Sequence, residues 1–214
     1  MEKIDFEIFN SVMTINHLIQ LNKVVSSFLK DTDKEKFIEL YFGKDLEFSQ
    51  DSDAREDSLT FSAEEFSVSY FNHLAVFHRQ TMMVMAVAAF EGAMDSLAIQ
   101  FLSAVKSKLS LKDFHGTGTE RTKTIFSKLA SVNRSFQKGE WQQIVSAQKI
   151  RNKIAHGSLW EKVDLQEVDN GNTVSAIRER LIEVSDDQVN NVLLASKIII
   201  FDIIDEVNSL HANS

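Results

Sequence analysis

Not one proline occurs among the 214 residues of this chain, and glycine occurs only seven times. Proline removes a helical N–H and clashes with the preceding turn, and glycine costs backbone entropy. A chain nearly free of both has little to interrupt a helix, so long helices are the expected elements. Apolar residues recur at spacings of three and four through much of the sequence, the period of a half-buried helix. With 43% hydrophobic residues and sixteen phenylalanines, there is material for a substantial, aromatic core. The expected fold class is all-α: a helical bundle with long core helices, in one domain over residues 1–214.

In chain order, a first helix is expected from Asp5 to Lys30, capped by Asp5, with Phe6, Phe9, Val12, Met13, Ile15, Ile19, Val24 and Phe28 as its apolar stripe. A short helix from Asp33 to Phe42 ends at Gly43, and a mobile, acidic loop follows over about residues 44–60. Ser62 and Glu65 form a capping box, and the helical signal then runs to about Lys108. That would span roughly 70 Å at 1.5 Å per residue, so a kink or break is expected between Ala75 and Thr81. The second half carries Met82, Met83, Met85, Phe90 and Met94, a methionine-rich face that reads as core filler or a dimer seam. His73 and His78 have no third ligand nearby and read as surface histidines, not a zinc site.

Ser110 to Gly118 reads as a loop, and Thr119 as the cap of a helix reaching Asn133. Its Arg121, Lys123 and Lys128, followed by Arg134, form the most basic local run: a solvated face, or a phosphate-tracking flank for RNA. Gly139 precedes a helix from Glu140 to Ala155. Beyond it, Asp169-Asn170-Gly171 marks a tight turn, so an irregular or short hairpin insert is expected, Leu159–Val168 pairing with Thr173–Ile177. Ser185 and Gln188 form a second capping box. They open a largely buried C-terminal packing helix over about residues 186–210.

The chemistry-bearing stretch is Ile150 to Gly157, IRNKIAHG. Apolar positions before it (Trp141, Ile144, Val145, Ile150, Ile154, Ala155) recur at helical spacing, with Gln148 as a polar interruption, and Gly157 supplies the helix stop. Asn152 and His156, four apart, stack on one face; Arg151 and His156 diverge by about 140° on an ideal helix. A long arginine and a last turn that tightens or unwinds still let the two converge on one ligand. An imidazole is the usual general acid or base near neutral pH, and a guanidinium clamps phosphate. Together they point to phosphodiester chemistry. The plainer reading is a surface or capping pair.

Arg151-Asn152, three residues, then His156-Gly157 resembles the R-x4-6-H motif of HEPN domains (higher eukaryotes and prokaryotes nucleotide-binding). The preceding AVAAFEGAMDSLAIQF is similar to a core helix of that family. In architecture the likeness covers Ser62 to the C-terminus; in motif, a handful of residues. The resemblance implies a HEPN-like bundle and a metal-independent endoribonuclease, of the kind found in bacterial toxin–antitoxin or antiphage (abortive infection) systems. It implies Arg151, His156 and Asn152 as catalytic residues, a homodimer joining two motifs, RNA as substrate and an antitoxin or inhibitor protein as partner. Glu91, mid-helix in an apolar region, is expected either to face solvent or to orient Arg151 or His156 as a buried carboxylate.

No metal and no cofactor are implied: there is no HExxH, GxSxG or P-loop, and the absence of cysteine excludes thiolate sites. No apolar run of eighteen residues is present and no secretory signal opens the chain, so a cytoplasmic protein without a membrane span is expected. A net charge of −8 argues against a broad nucleic-acid surface. It keeps a second reading open, a non-catalytic HEPN-like module that binds nucleotides or a protein. A third is a structural helical dimer in which Arg151 pairs with an acid such as Glu91.

Overall fold

In a computed structural model, residues 4–31, 63–116, 118–156, 160–169 and 172–212 are described. Five α-helices stand among them: α1 Phe9–Asp31, α2 Ala63–Ala104, α3 Gly118–Leu129, α4 Gly139–His156 and α5 Asp186–Ala212. The fold is all-α, with one insert. Between α4 and α5, β1 Trp160–Asp169 and β2 Asn172–Leu181 form an antiparallel hairpin in register from Trp160 opposite Leu181 to Asp169 opposite Asn172. The strands pair on either side of the expected turn, whose Asn170 and Gly171 lie outside the described residues, and the second strand runs four residues past Ile177. The expected helix at Asp33–Phe42, the acidic loop and the Ser62–Glu65 capping box lie outside the described residues.

The expected break between Ala75 and Thr81 is absent: α2 is one helix of 42 residues, about 63 Å long at 1.5 Å per residue. No residue in that window breaks a helix. Two of them also anchor it, since Arg79 Nε donates to the Val184 carbonyl at 2.7 Å and Gln80 Nε2 to that of Ile182 at 2.8 Å. The other four helices all pack on α2. His73–Ala104 within it is long and apolar enough to cross a membrane by length and composition. Its burial is that of a bundle's central helix: Met82, Met83, Val87, Phe90, Met94, Leu97 and Phe101 are each at most 1% exposed. The methionine-rich face is therefore core, apart from Met85, which looks outward.

Aromatic contacts knit the core. Phe101 lies against Phe126 with ring centres 5.6 Å apart, and Trp141 meets Phe136 edge-on at 4.8 Å. Such edge and offset contacts add about 0.5–1.5 kcal/mol each beyond area burial.

α1 begins at Phe9, not Asp5. Tertiary partners hold the residues before it out of the helix, because the Ile4 N–H donates to Asn208 Oδ1 and the Glu7 N–H to Gln100 Oε1. The buried face of α1 is Ile15, Leu18, Asn22 and Ser26, while Phe9, Val24 and Phe28 from the expected stripe are exposed. Polarity at Asn22 and Ser26 is matched across the bundle. Asn22 donates to Asn190 at 3.1 Å and accepts from His78 Nε2 at 3.2 Å, and Ser26 donates to Asp186 at 2.8 Å. His78 is thus a half-buried member of this network and not a surface histidine. Burial holds its imidazole below the usual 6.5, with Asp186 acting against that shift and Arg79 with it.

The second capping box forms as expected: the Ser185 N–H donates to Gln188 Oε1 at 2.8 Å and the Gln188 N–H to Ser185 Oγ at 3.1 Å. α5 is not buried all round, since Leu194, Ile198 and Phe201 make an outward stripe. Between α3 and α4, Glu206 of α5 reaches under the connection. Its carboxylate accepts from the N–H groups of Asn133, Arg134 and Ser135 and from the Ser135 hydroxyl, all within 3.0 Å. This fixes the turn that aims α4.

Candidate active site

α4 is held by its N-terminal half, where Trp141, Ile144 and Ala147 are buried in the core. That leaves the last two turns to carry polar groups. Arg151 is partly buried, and Asn152 and His156 are exposed. All three open onto one pocket of about 400 Å3, lined also by Glu91, Gly118, Thr119, Glu120 and Gln148. The angular divergence of Arg151 and His156 is therefore bridged by side-chain reach, with α4 still helical through His156. The expected stop at Gly157 lies outside the described residues.

Glu91 is the centre of the arrangement. Arg151 Nη2 donates to Glu91 Oε1 at 2.5 Å, and both side chains are about a quarter exposed (25% and 23%). The same oxygen accepts from Gln148 Nε2 at 3.0 Å, and that amide also donates to Thr119 Oγ1 at 2.6 Å. Thr119 itself is 2% exposed and lies inside α3, so it bonds to α4 and does not cap a helix as expected. The start of α3 sits directly on the carboxylate. A Cβ added at Gly118 would fall 2.7 Å from Glu91 Oε1, and Gly118 has φ +49°, a conformation that favours glycine. One turn along α2, Asp95 takes Arg121 Nη2 through both oxygens at 3.0 and 2.9 Å. Glu91 and Asp95 thus form two rungs that bind α4 and α3 to the central helix.

The arrangement offers a guanidinium fixed by a carboxylate through one terminal nitrogen at the wall of the pocket. Arg151 Nε is buried with no hydrogen-bond partner among the described residues. An amide at Asn152 and an imidazole at His156 share the opening. Such a set suits a phosphate with a transferable proton beside it. The Glu91–Arg151 contact is common to two expectations, the orienting carboxylate and the structural pair, and does not choose between them. Exposure of Asn152 and His156 on a pocket is what the purely structural pair does not call for.

The basic run is not brought to this pocket as a group. Arg121 is engaged by Asp95. Lys123 lies over aromatic rings instead, its Nζ 5.7 Å from the ring centres of both Phe136 and Trp141. Lys128 is exposed. Sequence reasoning missed Gln148, Thr119, Gly118 and Glu120 as site residues. One signal was present: Gln148 interrupts an apolar stripe one turn before both Arg151 and Asn152.

Set against models of known families, curated proteins and solved structures, the chain matches none of them.

Proposed function

We propose that this chain is a metal-independent endoribonuclease of the HEPN kind, working as a homodimer in a bacterial toxin or antiphage-defence system in the cytoplasm. The observation that carries the reading is the shared opening of Arg151, Asn152 and His156 on one pocket, with Arg151 anchored by Glu91. In the mechanism, the ribose 2′-OH attacks the adjacent phosphorus and the 5′-oxygen leaves. His156 removes the 2′-OH proton or protonates the leaving oxygen, and His156 of a second copy does the other. Arg151 stabilises the charge that builds on the phosphorane, and Asn152 holds a non-bridging oxygen or the imidazole. The products are a 2′,3′-cyclic phosphate and a 5′-OH, and DNA, lacking the 2′-OH, is left intact. A single Arg–His pair supplies only part of the required groups, so the monomer is inactive.

A second reading, a non-catalytic HEPN-like module binding a nucleotide or a protein, is favoured by the net charge of −8 and by the engagement of Arg121 and Lys123 within the fold. One experiment separates the two. Purified protein is incubated with mixed cellular RNA and excess chelator, wild type beside His156→Ala. The ribonuclease reading requires chelator-resistant cleavage with cyclic-phosphate ends that the variant loses, by about 10²–10⁴-fold if His156 is the acid or base. Cleavage equal in both proteins, or none in the wild-type dimer, removes it in favour of the binding module.

A further inference from the structure

We propose that the crevice between α4 and α5 binds a small, uncharged, planar heterocycle whose edge carries a hydrogen-bond donor beside an acceptor. The crevice is a pocket of about 310 Å3 on the side of α4 turned away from Arg151 and His156. Its floor is apolar and closed, because Met83, Ala147 and Val192 are each no more than 4% exposed. Its rim is built of carboxamides: Gln142 and Gln143 from α4, Gln188 and Asn191 from α5.

Among the described residues, no ionisable side chain lines this pocket, in a chain where 25% of residues are charged. A charged ligand entering it would lose hydration without a counter-charge, so the occupant is neutral. A carboxamide presents a donor and an acceptor side by side, the complement of a heterocycle edge with the same pair, as in the grip of Asn or Gln on adenine. Gln188 Oε1 is taken by the Ser185 N–H, and among the described residues its amide N–H groups remain for the ligand. A slot between two helices over a closed apolar floor suits a flat ring face. The volume stands at the small end of ligand sites, which run from roughly 300 Å3 upward, and admits one or two fused rings. This site is independent of the chemistry proposed for the opposite face of α4.

Gly139 forms the lip, and a Cβ added there meets nothing within 4 Å, so a large side chain can cover the mouth without displacing the backbone. The test uses the full chain labelled at methionine methyls and side-chain amides, titrated with adenine, then uracil and nicotinamide, in NMR. The expected result is a saturable shift of the Met83 methyl and of the rim amides with at least one probe, Kd at or below about 1 mM. Gly139→Phe should weaken that binding by about tenfold or more with Tm unchanged. Should that variant fail to fold, the double variant Gln142→Ala/Asn191→Ala, both positions exposed, must show the weakening instead. No shift at Met83 with any of the three probes overturns the proposal. So do shifts confined to the Arg151 side of α4, or binding unaltered in the folded variants.

Discussion

Glu91 and Arg151 stand sixty positions apart in the chain and meet at 2.5 Å across α2 and α4. The pair ties the end of the motif helix to the centre of the bundle, and it predicts coupled effects. Glu91→Gln and Arg151→Gln should each cost about 1–3 kcal/mol, since each leaves a half-buried partner short of its counter-charge. The double variant should recover part of that, with a coupling energy of about 1–2 kcal/mol in urea unfolding. Additive losses would mean the contact contributes nothing. If the ribonuclease reading holds, Glu91→Gln should also lower cleavage on the order of ten- to a hundredfold through misplacement of Arg151.

Two glycines near this pair should respond in opposite directions to alanine. Gly118→Ala drives a Cβ to 2.7 Å from Glu91 Oε1 at a φ of +49°, and should destabilise by about 1–2 kcal/mol. Gly92→Ala, in the middle of α2 with open space around its Cβ, should stabilise by about 0.5–1 kcal/mol. Thermal unfolding of the two variants beside wild type checks both signs.

Glu206 should set part of the acid sensitivity of the fold. Burial alone would raise its pKa. The Ser135 hydroxyl and the backbone N–H groups of Asn133, Arg134 and Ser135 outweigh burial and hold the carboxyl below the usual 4.5. A folded-state pKa below the unfolded one adds stability that is complete above about 4.5 and lost as the pH falls through the lower value. Glu206→Gln should therefore be about 2–3 kcal/mol less stable than wild type at pH 7. The gap should narrow as the pH drops below 4.5, followed by chemical denaturation at each pH.

The basic run on α3 should divide by role. Lys128→Ala should leave stability within about 0.5 kcal/mol and, if this face tracks RNA, reduce the slope of log K against log salt by about 0.7. Arg121→Ala should instead lower stability through loss of Asp95 as partner. An unchanged salt slope in Lys128→Ala would remove this flank from any RNA path.

The helices were legible because nothing in the chain breaks them, and the hairpin because Asp169-Asn170-Gly171 admits few alternatives to a turn. Arg151, Asn152 and His156 were legible because they are neighbours on one helix. What local pattern did not reveal came from partners distant in sequence. The Asn208 and Gln100 amides capture the backbone before Phe9, so α1 starts late. α2 runs on unbroken where Arg79 and Gln80 are anchored to carbonyls about a hundred residues away. Thr119 resembled a cap by residue type, yet its partner is Gln148 on another helix. The exposure of Ile198 and Phe201 depends on where α1 and α4 sit against α5, which a run of apolar residues does not encode.

Because every other described helix leans on α2, loosening its middle would remove the support of all of them together. Backbone amides from Met82 to Leu102 should be the last to exchange with deuterium, opening only when the whole bundle does. The final turn of α4 stands at the other extreme, with Asn152, Ala155 and His156 exposed. Asn152 and His156 thus ride on an exposed last turn, just past the anchor that Arg151 makes with Glu91. They can adjust to what arrives while the scaffold beneath them keeps its shape.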